Sequence, residues 1–270
     1  MPLSGVSDHE EMNPTKRNTM EDVHRVTKNF MGFSEMSYLA VYDGHGGRGL
    51  VDFMETRLEQ NIANEIRSPV QIPGSENTPP PQSPEMSNTL LAIERAYLLT
   101  DIQSRQAGIM ASGATAVSCL VDQSAKKIFA ANCGDARAVL CRSSSTLRLT
   151  HDHKADDPKE ISRIESAGGF VLRNRVLGIL AVARSFGDHG MKEFVISRPY
   201  LSETDLKDDD EFIVVACDGL WDVISDDECT DLVKKYTKSG ADNTAAAQML
   251  VEESMARGST DNISVIVAWL

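Results

Sequence analysis

Three aspartates stand where the sequence makes them costly. "YLAVYDGHGG" carries an apolar run, Tyr38 to Tyr42, straight into Asp43, Gly44 and His45. "FIVVACDGLWD" carries Phe212 to Cys217 into Asp218 and Gly219, and "STDNISVIVAWL" puts Asp261 and Asn262 at the mouth of a third apolar run. Short apolar runs with such boundaries read as buried strands. A carboxylate at the end of a buried strand loses hydration, which costs several kcal/mol unless something compensates. An Asp beside Gly commonly does no more than cap a turn. Three apolar strands that end alike favour a different reading, in which the ends converge on one point. Converging carboxylates repel and call for cations between them. Oxygen ligands without Cys or His select hard ions, Mg²⁺ or Mn²⁺, over Zn²⁺. The glycine after Asp43 and Asp218 leaves backbone exposed, so that a carbonyl oxygen can join the ligands. One carboxylate bridging two ions roughly 3.5–4 Å apart would make a hydrolytic centre. "NCGDARAV" offers Asp135 as a fourth candidate, and "TMEDVH" adds Glu21 and Asp22.

The elements that must position these residues can be read from periodicity. After the first Asp-Gly, Met54, Leu58, Ile62 and Ile66 recur every four residues and predict an amphipathic helix. A second helix is predicted over "SNTLLAIERAYLLTDIQSRQ", with Ser87 as its N-cap. Between them, "SPVQIPGSENTPPPQSPEMS" holds six of the ten prolines, so an exposed loop is expected over 68–87. It is not expected to divide domains, because acidic strand ends of one type lie on both sides of it. "GATAVSCLVD", "KKIFAANCG" and "ARAVLCR" read as hairpin-like strands. "DDPKEISRIESAGG" reads as a helix capped by Asp157, with Pro158 at its first position, Glu160 closing a capping box and Gly168 stopping it. "FVLRN" and "RVLGI" suggest a hairpin, and two helices are predicted between the last two strands. Helices come in pairs and strict strand–helix alternation is missing. That favours an α+β fold with antiparallel sheets over a doubly wound one.

A chain of 270 residues suffices for a sizeable core. Its net charge of −13 argues against nucleic acid or an anionic membrane as the main partner, since either needs a basic face. Phosphorylated substrates stay open, because bound cations invert the local field. Five cysteines, with no CxxC pair, read as reduced core thiols, and no apolar h-region or membrane span is visible. A cytoplasmic or nuclear protein is expected.

Eight stretches occur in an order that resembles the metal-dependent protein phosphatases of type 2C. They are "RNTMED", "VYDGHGG", "SGATAV", "NCGDARAVL", "LTHDHKADDPKEISRIESAGG", "LAVARSFGD", "ACDGLWDVI" and "TDNISVIV". The resemblance spans Arg17 to Leu270, and the chain looks similar to compact yeast-type members. The resemblance implies one catalytic domain over 1–270: a β-sandwich of two antiparallel sheets flanked by helix pairs, in four layers α/β/β/α. It implies removal of phosphate from phosphoserine and phosphothreonine proteins with two Mn²⁺ or Mg²⁺ ions and a weaker third. Carried over residue by residue, Asp43 bridges both ions and the Gly44 carbonyl ligates one. Asp218 and Asp261 hold the other, Glu21 acts mainly through water, and Asp135 with Asp218 forms the weaker site. Arg17 matches the phosphate clamp and His45 the general acid. The chain departs from the family at Ala114, at Ala183, and at Leu177 near the flap that helps choose substrates, where Asn is frequent; no ligand is lost.

The expected chemistry is direct hydrolysis, with an ion-bridging water or hydroxide attacking phosphorus in line. Arg17 and the ions neutralise the phosphoryl oxygens. No Cys-x5-Arg loop supports a thiolate nucleophile. Asp22 and His24 are expected to support Glu21, His151 and His153 to be loop structure, Asp188 to be structural, and Asp208 to Asp210 to be a solvated run. Substrates are expected to be phosphoproteins, met by a monomer without nucleic acid or membrane. Two rival readings are a phosphatase-like scaffold without turnover and a two-metal phosphodiesterase.

Overall fold

The computed structural model describes residues 2–67, 87–143 and 145–270, so the expected loop over 68–87 lies, apart from Ser87, outside the described residues. In chain order the strands are β1 (Gly5–Glu11), β2 (Asp22–Lys28), β3 (Met36–His45), β4 (Gly113–Asp122), β5 (Lys127–Cys133), β6 (Arg137–Arg142), β7 (Ser145–Arg148), β8 (Val171–Leu172), β9 (Arg175–Val176), β10 (Phe186–Gly187), β11 (Tyr200–Asp205), β12 (Asp210–Ala216) and β13 (Ile263–Trp269). One sheet has the order β1-β13-β12-β6-β7 and the other β11-β5-β4-β3-β2, with β10 added on β4. All these pairings are antiparallel.

The unbroken apolar runs follow from burial on both faces of each sheet. Leu39, Val41, Val117 and Cys119 meet Leu140, Ile213, Val215 and Ile266 between the sheets. The alternate residues Tyr38, Ala40 and Tyr42 pack outward against Leu50, Met54, Leu58 and Tyr97 of α1 (Gly49–Arg67) and α2 (Asn88–Gln106). On the far side, Val214, Val265 and Val267 pack against Leu220, Val233 and Leu250. Those belong to α4 (Asp218–Trp221), α5 (Asp226–Lys238) and α6 (Ala246–Ala256). The layers are therefore helix pair, sheet, sheet, helix pair, as expected. Each buried Val or Leu contributes about 1.5–3 kcal/mol, which makes a one-residue slip of any central strand prohibitive.

Local signals behaved unevenly. Ser87 caps α2, accepting from the Leu90 amide at 3.4 Å. Asp157 caps α3 (Pro158–Ser166), accepting from the Lys159 amide at 2.8 Å. Glu160 does not close a capping box there. Its carboxylate is drawn inward to Arg184, at 2.6 Å, and Arg163, at 2.8 Å, because two guanidiniums outbid one backbone amide for a buried carboxylate. The three strands after residue 113 are also not one meander. β4 pairs with β5, but β6 crosses to the other sheet and pairs with β12. Asp210 is no solvated charge: Arg142 Nε donates to it at 2.6 Å. A smaller core of Ala155, Ile164, Val176, Ala183 and Val195 holds α3 and the predicted hairpin β8–β9 beside the sandwich.

Candidate active site and metal centre

The crossing from β5 to β6 brings the acids together. Its turn carries Asp135 to where Asp43 lies near the end of β3 and Asp218 lies just beyond β12. Asp43, Asp135 and Asp218 each offer a carboxylate oxygen, and these oxygens lie within 4.8 Å of one another. Asp43 also faces two polar residues across its own sheet, Asp22 on β2 and Thr115 on β4. Gly44 is needed because the Glu21 backbone passes so close: a Cβ there would sit 2.6 Å from the Glu21 carbonyl oxygen, which accepts from the Gly44 amide at 3.2 Å.

The electrostatics are those of carboxylates without enough counter-charge. Burial, and then the charges of Asp218, Asp22, Asp135 and Asp261, push Asp43 well above the usual carboxylate range. Burial, then Asp135, Asp222 and Asp261, do the same to Asp218. Burial pushes Asp135 up to about 6 although Lys154 opposes it, and pushes Asp22 up to about 7. Asp218 Oδ1 and Asp22 Oδ2 are buried without a hydrogen-bond partner among the described residues. Orphaned buried oxygens in an all-carboxylate set are the donors that hard divalent cations require, so these residues fit such a cation.

Around this core the other expected residues take graded positions. Asp261 contributes its charge to the cluster, and the Arg17 guanidinium grips its carboxylate while Nε donates to the Thr260 carbonyl at 3.1 Å. Glu21 stands outside the core trio, accepting from the Gly47 amide at 3.2 Å and the Thr19 hydroxyl at 3.1 Å. His45 ends β3, and its Nε2 lies 2.9 and 3.1 Å from the two oxygens of Asp188. His24 does not support Glu21. Its ring lies between Asp8, at 2.9 Å, and Glu10, at 3.0 Å, because β1 runs alongside. His151 and His153 are structural, as expected: His151 Nε2 pairs with Asp157 at 2.6 Å, and the buried His153 is tied to Gly134, to which its amide donates at 2.9 Å. Leu177 has φ 52°, in the left-handed region that suits Asn better than a branched apolar side chain.

Three residues make contacts at the site that the sequence pattern does not assign. Asn262 accepts from the Glu21 amide at 2.9 Å and donates to the carbonyls of Met12 and Thr19 at 2.8 and 3.0 Å, so one side chain holds the segment bearing Arg17 and Glu21. Lys154 Nζ lies 2.8 Å from Asp222 and 3.8 Å from Asp135. Asp188 is the partner of His45. A signal existed for each, since all lie inside the quoted stretches, yet none has a local periodicity that marks a role.

Residues 8–263 match the family Protein phosphatase 2C. Protein phosphatase 2C homolog 1 of Saccharomyces cerevisiae is 35% identical, over 97% of this chain and 92% of its own. Its namesake in Schizosaccharomyces pombe is 34% identical, over 96% of this chain and 71% of its own. Among solved structures, a serine-threonine phosphatase 2C from Toxoplasma gondii superposes with TM-score 0.76 at 20% identity, over 100% of this chain and 97% of its own. At that identity the likeness speaks for the fold.

Proposed function

The chain belongs to the protein phosphatase 2C family, whose members are metal-dependent serine/threonine protein phosphatases, and on that premise we propose how its residues divide the reaction. The observation that carries the assignment is the convergence of Asp43, Asp135 and Asp218 from three chain segments within 4.8 Å. Asp43 would be the carboxylate shared by two ions, Mn²⁺ or Mg²⁺. The Gly44 carbonyl, Asp218 and Asp261 would complete their protein ligands, Glu21 would act through water, and Asp135 with Asp218 would offer a weaker third site. When bound, such ions lower the pKa of water and offset phosphoryl charge.

The rest falls to the chain. Arg17, half exposed at the rim, clamps the phosphoryl oxygens of the incoming phosphoserine or phosphothreonine. His45 delivers a proton to the departing seryl or threonyl oxygen, a poor leaving group that needs one. No thiol competes as nucleophile: the five cysteines are buried and unpaired, and burial pushes Cys119 and Cys133 up to about 12. We read the chain as one catalytic domain that meets phosphoproteins as a monomer in cytoplasm or nucleus. The net charge of −13 supports the absence of nucleic acid or anionic membrane among its partners, and among the described residues no helix is long and apolar enough to cross a membrane.

The test is phosphate release from a phosphothreonine peptide with Mn²⁺, with Mg²⁺ and after EDTA. Release that depends on added ion is expected. Undiminished release after exhaustive chelation refutes the assignment, binding without release indicates a scaffold, and cleavage confined to a phosphodiester indicates a different hydrolase.

A further inference from the structure

The stretches "SGATAV" and "LAVARSFGD" have no part in the ligand set, yet the fold brings both against His45. The carboxylate of Asp188 straddles Nε2 of that ring, at 2.9 and 3.1 Å, from 143 residues away in the chain. This is no loose surface pair, since only 9% of the Asp188 side chain is exposed. The Ser185 hydroxyl donates to Asp188 Oδ2 at 2.5 Å, and the Asp188 amide donates to the Ser112 carbonyl at 3.3 Å. Asp188 itself adopts φ 45°, a conformation that Asp tolerates better than most residues. The neighbouring Gly187 amide donates to Asp101 Oδ1 at 2.8 Å, and Lys192 Nζ joins Asp101 and the Ser185 carbonyl.

Gly113 makes the approach possible. It lies opposite His45 in the β3–β4 register and opposite Gly187 in the β4–β10 register. A Cβ on Gly113 would fall 2.2 Å from both Asp188 Oδ2 and His45 Nε2. Any side chain at that position would drive the pair apart, so the glycine of "SGATAV" is space reserved for this contact. An ionised carboxylate only accepts hydrogen bonds, so Nε2 must carry a hydrogen, and the other ring nitrogen, Nδ1, makes no hydrogen bond among the described residues.

We propose that Asp188 is a positioning residue for hydrolysis: it holds His45 by Nε2–H, so that Nδ1 is the atom that protonates the departing oxygen. This rests on the reading of His45 as proton donor. As the bond from phosphorus to the seryl or threonyl oxygen breaks, its electron pair stays on that oxygen, which takes the Nδ1 proton. Water supplies the new bond to phosphorus, and its released proton restores Nδ1–H, so one water is consumed per phosphate. Asp188 exchanges nothing. It fixes the ring plane and the tautomer, as second partners of catalytic and metal-binding histidines do.

The test compares Asp188→Asn, His45→Gln and the double variant on a phosphothreonine peptide and on aryl phosphates of graded leaving-group pKa, all with saturating Mn²⁺. General acids contribute about 10²–10⁴-fold. Asp188→Asn is expected to slow the peptide by about 10–100-fold and p-nitrophenyl phosphate by far less, in kcat rather than KM. The double variant should be no slower than His45→Gln alone, because the two residues act as one unit. Selective loss in His45→Gln with a uniform loss, or none, in Asp188→Asn overturns the proposal alone. A uniform loss in His45→Gln removes the proton-donor reading and the proposal with it. Should Asp188→Asn not fold, Ser185→Ala is the substitute: it frees one oxygen of Asp188 without touching His45 and should give the same selective pattern at about 3–10-fold. A uniform loss there also overturns the proposal.

Discussion

Asp135 and Arg137 are two residues apart, and they open onto opposite electrostatic arrangements. On the Asp135 side, carboxylates face carboxylates, and burial plus mutual repulsion raise them. On the Arg137 side, every carboxylate has a guanidinium. Arg137 grips Asp152 and reaches Asp226 at 2.6 Å, Arg148 Nε reaches Asp226 at 2.7 Å, and the Arg137 head lies 5.1 Å from the Trp221 ring centroid. Burial would raise Asp226 as well, but Arg148 and Arg137 outweigh it and hold it below the usual range. The chain thus carries arginines one turn away and keeps them out of the group formed by Asp43, Asp135 and Asp218. That difference separates a structural ion network from a site that takes its cations from solution.

The largest expected effect is on Asp43. Asp43→Asn should lower phosphopeptide turnover by about 10³-fold or more, because it weakens both ions and the charge stabilisation they bring. The same substitution should leave the melting temperature in EDTA equal or higher, since it removes a repelling charge. A lower melting temperature in EDTA would mean that Asp43 is a satisfied structural residue. Arg137→Leu should do the reverse, costing about 1–3 kcal/mol in urea unfolding because it takes the guanidinium from the half-buried Asp152 and leaves Asp226 with Arg148 alone, with Mn²⁺ affinity retained. A neutral Arg137→Leu would erase the contrast.

The two regions should also answer pH with opposite sign. Asp135, at about 6, and Asp22, at about 7, hold protons in the folded chain that the unfolded chain has released. The stability they contribute is complete below the ordinary carboxylate pKa and is lost as pH rises through about 6 to 7. Asp226 is lowered, so its contribution is present above that ordinary pKa and lost as pH falls through its own. Metal-free protein should therefore melt at progressively lower temperature from pH 5 to pH 8, and saturating Mn²⁺ should flatten the slope. A slope unchanged by the ion would detach these protons from the metal site. The smallest effect is expected at Lys154, which lends partial counter-charge to Asp135 and Asp222. Lys154→Met should tighten Mn²⁺ binding by about 3-fold, the scale of a half-exposed ion pair; weaker binding would show that Lys154 organises the site instead.

The sequence made the acidic strand ends legible because they combine two strong local signals, an apolar run and an abrupt carboxylate. Helix pairs and caps at Ser87 and Asp157 were legible for the same reason. What escaped is nonlocal. Nothing local to "ARAVLCR" says that β6 leaves its neighbour for β12, yet that crossing delivers Asp135. Glu160 has the spacing of a capping box, and Arg184, 24 residues on, decides otherwise. Asp188, expected to be structural, has no visible partner until β10 lies on β4 and sets it against His45. A residue's partner across a sheet is fixed by register, and register is a property of the assembled sandwich.

The most direct measurement is a calorimetric Mn²⁺ titration of metal-depleted protein at pH 7, repeated in two buffers of different ionisation enthalpy and with Asp43→Asn. At least two ions should bind per chain, with an apparent enthalpy that depends on the buffer because protons leave the raised carboxylates as ions arrive, and Asp43→Asn should lose both the tight binding and the proton release. Binding that is absent, or identical in Asp43→Asn, would contradict the assignment of these carboxylates as the metal centre.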